Sequence, residues 1–292
     1  MVWPKSALLG SALWLSAWPV QGELSWVLPP LPPPNNSLSL DATTDNADGW
    51  SRQLAASLAG PLALQFNLAY GETYVSADTS ELKTELRAFG IATDPLADFS
   101  ADLGYEKWGS DDELTIDTLR LGLTLNLGDF AFTLTPQQRS IRLYTRERFR
   151  DRLPYVDVDG RDIGLNIGYY GLQDWALSAG YVHYDYSEDL TRLADNLLAL
   201  FVFPLKNLEL ASGLNSRLLS LDATHVLAGG EVGVEWVRAT SAVDGGNADT
   251  ATLHGRIELT PAWQLNLRGG VQNVDYSDDA ILFLGLGVEY LW

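Results

Sequence analysis

The chain has 292 residues, 38 acidic against 19 basic, a formal net charge of −19 and no cysteine. Disulfides and thiolate metal sites are therefore excluded, and so is a nucleic-acid partner, whose phosphates need a basic surface. Past residue 22 the longest apolar run, Leu197–Val202 with Phe203, falls far short of the ~20 residues that a membrane-spanning helix needs.

Residues 1–22 read as a secretory signal peptide: Lys5, an apolar stretch over 7–18, then Val-Gln-Gly before Glu23. Removing it takes away one positive charge. Residues 23–35 form a proline-rich tether, because Leu28–Pro34 (Leu-Pro-Pro-Leu-Pro-Pro-Pro) favours polyproline II and lacks the N–H donors of a β-ladder. This segment is expected to serve as a periplasmic spacer, with a docking motif as the other reading.

From Asn36 to Trp292 the pattern alternates with period two between turn signals. The clearest hairpin is Leu119, Leu121, Leu123, Leu125 and Leu127, then Gly128-Asp129, then Phe130, Phe132 and Leu134. Similar apolar faces are Leu62–Tyr70, Phe99–Tyr105, Ile163–Tyr169, Trp175–Tyr181, Val232–Trp236, Leu253–Leu259 and Trp263–Leu267, each taken at every second residue. The last is Leu282, Leu284, Leu286, Val288, Tyr290 and Trp292, opposite Phe283, Gly285, Gly287 and Glu289. Trp175, Trp263, Phe99, Phe130 and Trp292 stand near the short turns, and Tyr70, Tyr105, Tyr181 and Trp236 at the other strand ends. Two aromatic belts around an aliphatic band are what anchoring at two membrane interfaces requires.

The fold expected is all-β: a transmembrane antiparallel up-and-down β-barrel of about sixteen strands, with fourteen as the alternative. The strands fall near 36–44, 49–58, 62–73, 81–91, 98–108, 113–127, 130–145, 161–170, 175–186, 192–203, 208–214, 216–228, 231–240, 249–259, 263–276 and 280–292. The stretch 188–218 decides the count, since a lumenal helix or inward loop there would remove two strands.

The final residues Gly287-Val288-Glu289-Tyr290-Leu291-Trp292 resemble the C-terminal assembly signal of Gram-negative outer-membrane β-barrel proteins. Gly287, Tyr290 and Trp292 match that pattern, whereas Gly285 stands where a polar residue is usual. The resemblance implies a bacterial outer-membrane location, delivery by periplasmic chaperones and insertion by the barrel-assembly machinery. Outer-membrane lipid and lipopolysaccharide would surround the barrel.

Arg139, Arg142, Arg146, Arg148, Arg150 and Arg152 crowd six basic residues into fourteen positions. They could line an inward loop that narrows a pore, bind lipopolysaccharide phosphates, or pair locally with Glu147, Asp151, Asp157 and Asp159. Alternation assigns Lys83, Glu85, Arg87, Asp102, Glu106, Arg120, Glu231, Glu235, Arg256, Glu258, Arg268 and Glu289 to the lumen. Among these and Arg139, a positive face (Arg87, Arg120, Arg139, Arg268) is expected to oppose a negative one (Glu231, Glu235, Glu258). Gly122, Gly164, Gly168, Gly180, Gly233, Gly285 and Gly287 would leave room for water.

Asp157-Val158-Asp159-Gly160 hints at a calcium loop without its remaining ligands, and no metal or other cofactor is expected. Of the three histidines, His225 carries no role, His254 reads as a polar wall group, and His183, beside Tyr184 and Asp185, lacks any recognisable nucleophile. The functional expectation is a non-enzymatic, passive porin-like channel for small hydrophilic solutes. A structural or assembly barrel without transport is the alternative, and a surface lipid- or peptide-hydrolysing enzyme using His183 is the third reading.

Overall fold

A computed structural model describes residues 36–77, 80–93, 98–110, 114–144, 155–191, 214–275 and 280–292. The expected signal peptide and tether lie outside these residues, as do Arg146, Arg148, Arg150 and Arg152.

Fourteen strands form one antiparallel sheet that closes on itself. In chain order they are β1 (Ser37–Asp45), β2 (Trp50–Ala59), β3 (Gln65–Ala77), β4 (Ser80–Ala92), β5 (Phe99–Ser110), β6 (Leu114–Leu127) and β7 (Phe130–Tyr144). There follow β8 (Tyr155–Tyr169), β9 (Trp175–Tyr186), β10 (Asn215–Leu227), β11 (Gly230–Ser241), β12 (Asn247–Thr260), β13 (Trp263–Val274) and β14 (Ile281–Leu291). Each strand pairs with its chain neighbours, and β1 pairs with β14 through Leu38↔Tyr290, Leu40↔Val288 and Ala42↔Leu286. Closure leaves no free edge, as a sheet immersed in hydrocarbon requires. Asn36 and Trp292 meet at one rim, where the Trp292 amide donates to the Asn36 carbonyl at 3.1 Å.

The expected sixteen strands reduce to fourteen for a specific reason. β9 and β10 are hydrogen-bonded to each other directly, from Arg217↔His183 to His225↔Trp175. No strand stands between them in the closed wall; residues 192–213, which hold the expected strands 192–203 and 208–214 apart from Leu214, lie outside the described residues. Two further boundaries move. Leu62 and Leu64 precede β3 instead of belonging to it: Pro61–Ala63 form a short 3₁₀ turn with Leu62 at φ 63°. β8 starts at Tyr155, so Asp157–Gly160 are extended strand and the suggested calcium loop is absent.

Short connections gather at one rim (60–64, 93–98, 128–129, 170–174, 228–229, 261–262), together with both ends of the barrel chain. The Gly128-Asp129 hairpin is formed as expected, with Leu127 opposite Phe130 and Gly128 at φ 62°. The other rim carries the two longest connections, 145–154 and 187–214, beside short ones such as 46–49, 78–79 and 111–113.

The outward face is apolar over a broad band. Leu284 is 66% exposed, Leu40 60%, Val234 56% and Leu165 55%. At the turn rim Tyr290 stacks on Trp292 at 5.6 Å and lies 4.8 Å from Trp263, while Phe130 lies 4.8 Å from Tyr169. Toward the loop rim Trp50 stacks on Tyr74 at 6.0 Å. Both aromatic belts are therefore in place.

Near the loop rim the polarity of the two faces inverts. In β6 the apolar residues from Leu119 to Leu127 point outward, but Leu114 and Ile116 point inward and are 0% and 5% exposed. β7 switches from outward Phe130–Leu134 to inward Ile141 and Leu143, and β8 from inward Val158 to outward Ile163–Tyr169. With Trp108, Leu190, Leu214 and Val243 these residues make a buried apolar cluster inside the loop end. Val182, Tyr184, Leu218 and Val237 form a second one on β9–β11. A ribbon in lipid turns its apolar side out, whereas one in water must turn it in. The switch in parity marks where each strand leaves the hydrocarbon.

Candidate functional site

The barrel interior is the region where polar chemistry concentrates, and alternation places most of the expected side chains there. Arg139 points inward past Pro136, since the β6–β7 register is the same on both sides of that residue. Its Nε lies 2.7 Å from Asp162, with the two side chains 1% and 0% exposed, and the guanidinium sits 4.4 Å above the Tyr184 ring. A second buried pair joins Arg256 to Glu231 at 3.1 Å, with side chains 5% and 1% exposed. Arg120 meets Asp102 at 3.1 Å, and both remain partly accessible. Arg268 donates to the Thr43 hydroxyl at 2.6 Å and interacts electrostatically with Asp41 and Glu235. His254 Nε2 is 3.0 Å from Asp222, whose other oxygen accepts from Thr224 at 3.0 Å. Glu289 is inward and buried, while Glu258 is inward and exposed near the turn-end mouth.

Lys83, Glu85 and Arg87 are placed differently from expectation. β4 pairs Phe89 with Leu68 and Ile91 with Phe66, both outward positions, so by parity residues 83, 85 and 87 also face outward. Arg87 pairs with Glu85 at 2.7 Å on the outside of the barrel, with its side chain 64% exposed. Charged residues on this side of β4 lie beyond the apolar stretch, where the surroundings are headgroup and water instead of hydrocarbon, so alternation and polarity no longer agree.

The expected segregation of positive and negative faces is also not found. Arg139 and Glu231 are each consumed in a buried pair, and Arg268 on β13 lies between Asp41 on β1 and Glu235 on β11. Between the rims, the inward charges with solvent access among the described residues are the carboxyls of Asp41, Asp102, Glu106, Asp222 and Glu235. The guanidiniums of Arg120 and Arg268 accompany them. Glu258 adds a carboxyl at the mouth. The accessible wall is thus acidic, with signs interleaved around the circumference.

The interior glycines Gly122, Gly164, Gly168, Gly233, Gly285 and Gly287 do not leave open water space. The Asp102 carboxylate lies over Gly122, the Asp41 carboxylate over Gly287, and Arg268 with Thr43 over Gly285, each where a Cβ would stand. Glycine here seats a neighbour's side chain flat against the wall. Gly164 and Gly233 are likewise covered, by Thr135 and Val182, and by His254 and Thr224.

His183 lies on the outward face of β9, alternating with buried Val182 and Tyr184, and so is not directed into the lumen. His225 is held at the turn rim, with Nδ1 2.9 Å from the Asp174 carbonyl oxygen and its ring 4.8 Å from Trp175. Asp157 belongs to an outward pair with Arg142 at 3.2 Å, not to a cation site. Among the described residues no group of His, Asp and Glu is arranged to hold a metal ion.

Alternation alone could not have found the two apolar clusters. Their signal was nevertheless present, in the change of parity of leucine, isoleucine and valine within a single strand, as between Ile116 and Leu119.

No family model matches the sequence, and no curated protein matches it. Among solved structures, the chain is similar to OmpT, an outer-membrane protein of Vibrio cholerae, at 10% identity and a TM-score of 0.49, covering 88% of this chain and 96% of that one. It is also similar to the NanC porin (9% identity, TM-score 0.43, 87% and 98% covered) and to the KdgM porin (14% identity, TM-score 0.40, 88% and 99% covered). Its own geometry, a closed antiparallel meander with apolar outside, two aromatic belts and polar inside, is the architecture of the outer-membrane β-barrels.

Proposed function

We propose that the protein sits in the bacterial outer membrane as a non-catalytic, passive channel for small hydrophilic solutes, and that it favours cations. The observation that carries this reading is the acidic accessible wall, five carboxyls and two guanidiniums between the rims. Such a wall lowers the energy of a cation in the lumen and raises that of an anion. Water and solute would pass beside Asp41, Glu235 and Arg268 on one side and Asp102, Glu106 and Arg120 on the other, while the two buried ion pairs stiffen the wall away from the path.

Planar-bilayer recording of the purified protein tests it. Stepwise conductance is expected, with a reversal potential in a potassium chloride gradient whose sign reports cation preference. Glu235→Gln together with Asp41→Asn should shift that potential toward zero. A bilayer that stays sealed at every voltage would end the channel reading, and an anion-selective reversal would end the charge argument.

A second reading is a closed barrel with a structural or assembly role. The apolar cluster of Trp108, Leu114, Ile116, Ile141, Leu143 and Val158 across the loop end favours it, because a dry core there narrows any passage. In that case residues 28–34 would hold a periplasmic partner, and their deletion would abolish its co-purification.

A further inference from the structure

We infer that one row of inward residues, climbing the lumen from Tyr170 to Phe283, is a binding track for an uncharged oligosaccharide. This deepens the channel reading and rests on its water-filled lumen.

Among the described residues, Trp108, Tyr170, Tyr184, Tyr186 and Phe283 turn their rings inward. Trp108 and Tyr184 are buried, and Tyr186 packs on both apolar clusters with its hydroxyl donating to the Asn215 carbonyl at 2.7 Å. Tyr170 and Phe283 differ from these. Each is partly exposed and lies where the Cβ of an inward residue would stand, Tyr170 over Gly168 and Phe283 over Gly270. A side chain at either glycine would push the ring off the wall. Each ring therefore lies along the wall with one side open to the lumen.

The two glycines belong to one continuous row of the sheet. Gly168 is opposite Ser178, Ser178 opposite Asp222, and Asp222 opposite Glu235. Glu235 is opposite Thr252, Thr252 opposite Gly270, and Gly270 opposite Phe283. From Gly168 to Gly270 the row crosses five strand spacings, about 24 Å along the wall. It also rises, because the strands of a barrel are tilted. Gly168 adjoins Tyr169 at the turn end of β8, whereas Phe283 is two residues from Ile281 at the loop end of β14. The row thus runs in the direction that a solute would travel. Its upper end is on β13 and β14, away from the apolar cluster, whose strand residues lie on β5–β8.

The chemistry of the row selects a solute class. Between the two rings stand the hydroxyls of Ser178 and Thr252 and the carboxyls of Asp222 and Glu235. Asp222 is held in place by His254 and Thr224, whereas Glu235 makes no hydrogen bond with the described residues. A carboxylate only accepts, so the ligand must donate more than once. The rings at either end call for an apolar face. Two carboxylates oppose an anion. A cation is opposed beside Phe283 by Arg268, one register step toward the turn rim and opposite Gly285. The guanidinium calls for acceptors instead. A sugar ring carries C–H groups on its faces and hydroxyls that donate and accept at its edge, so an uncharged saccharide meets every one of these demands.

Equilibrium dialysis of the folded full-length protein in detergent against maltopentaose, with single-channel recording in planar bilayers, tests the track. Saturable binding is expected, with saccharide-dependent interruptions of the ion current. Phe283→Ala and Tyr170→Ala should each weaken retention about tenfold, the scale of losing one stacked ring. Phe89→Ala, on the outward face of β4, should bind as wild type. Glu235→Gln keeps the side-chain size and should weaken binding severalfold, which leaves the test decisive if the alanine variants do not fold. Equal binding in all variants, or tighter retention of free arginine than of the saccharide, would overturn the track. A conducting channel that never binds maltopentaose would overturn the track alone, and sealed bilayers beside saturable binding would overturn conduction alone.

Discussion

Whether the loop end of the barrel is dry can be read from one ion pair. Arg139 and Asp162 are 2.7 Å apart with 1% and 0% of their side chains exposed, beneath Ile141 and Val158 and against Tyr184. Asp162→Ala would strand a guanidinium in that surrounding, and an uncompensated buried charge costs about 3–5 kcal/mol. Were the pair bathed in lumenal water, the same change would cost only about 0–1 kcal/mol. Replacing both partners by apolar groups, Arg139→Met with Asp162→Leu, removes the charge and the need for its partner. Pairs treated this way elsewhere become neutral or gain about 1–4 kcal/mol. The double substitution should therefore recover what the single one loses. Urea unfolding of the barrel from lipid vesicles, followed by tryptophan fluorescence, measures all three species. A loss under ~1 kcal/mol for Asp162→Ala would refute the dry cap and widen the water path. A double variant no more stable than the single one would refute the idea that stranded charge is the cost.

The assignment of faces is testable at Leu286, which is 53% exposed midway along β14: Leu286→Arg should cost about 2–4 kcal/mol in the same assay, and a negligible loss would mean that this position does not face hydrocarbon. At the loop rim Asp275 accepts from the backbone amide of Asn247 at 2.8 Å and from its side-chain amide at 3.0 Å. These bonds favour the ionised form and hold its pKa below the ordinary 3.8. The contribution is then fully present above that ordinary value and is lost as pH falls through the depressed one. Amide exchange at Asn247, corrected for its intrinsic rate, should be slow at neutral pH, quicken under strong acid, and be fast throughout in Asp275→Ala. Protection indifferent to both acid and substitution would contradict the geometry.

Much of the candidate site was legible because a strand has a period of two. Once Leu119–Leu127 are fixed as outward, Arg120 must point inward, and the same step places Glu231, Glu235, Arg256 and Arg268. The argument fails where its premise fails. On β4 polarity suggested lumen for Lys83, Glu85 and Arg87, but Phe89 and Ile91 on the same parity face lipid, and the charges simply lie above the hydrocarbon. Polarity reports the medium, and the medium changes along a strand.

Local pattern thus determined by itself that this chain makes alternating antiparallel strands with an apolar outside, where the short turns fall, and which residues share a face. It determined these because side-chain direction and turn geometry depend on neighbours in the chain. Only the tertiary structure decided that β9 pairs with β10, giving fourteen strands, that Arg139 and Arg256 are shut away with Asp162 and Glu231, and that glycines seat carboxylates. Those outcomes depend on which strands lie side by side and at what height. Contacts of that kind join residues far apart in sequence, and no periodicity within a single strand encodes them.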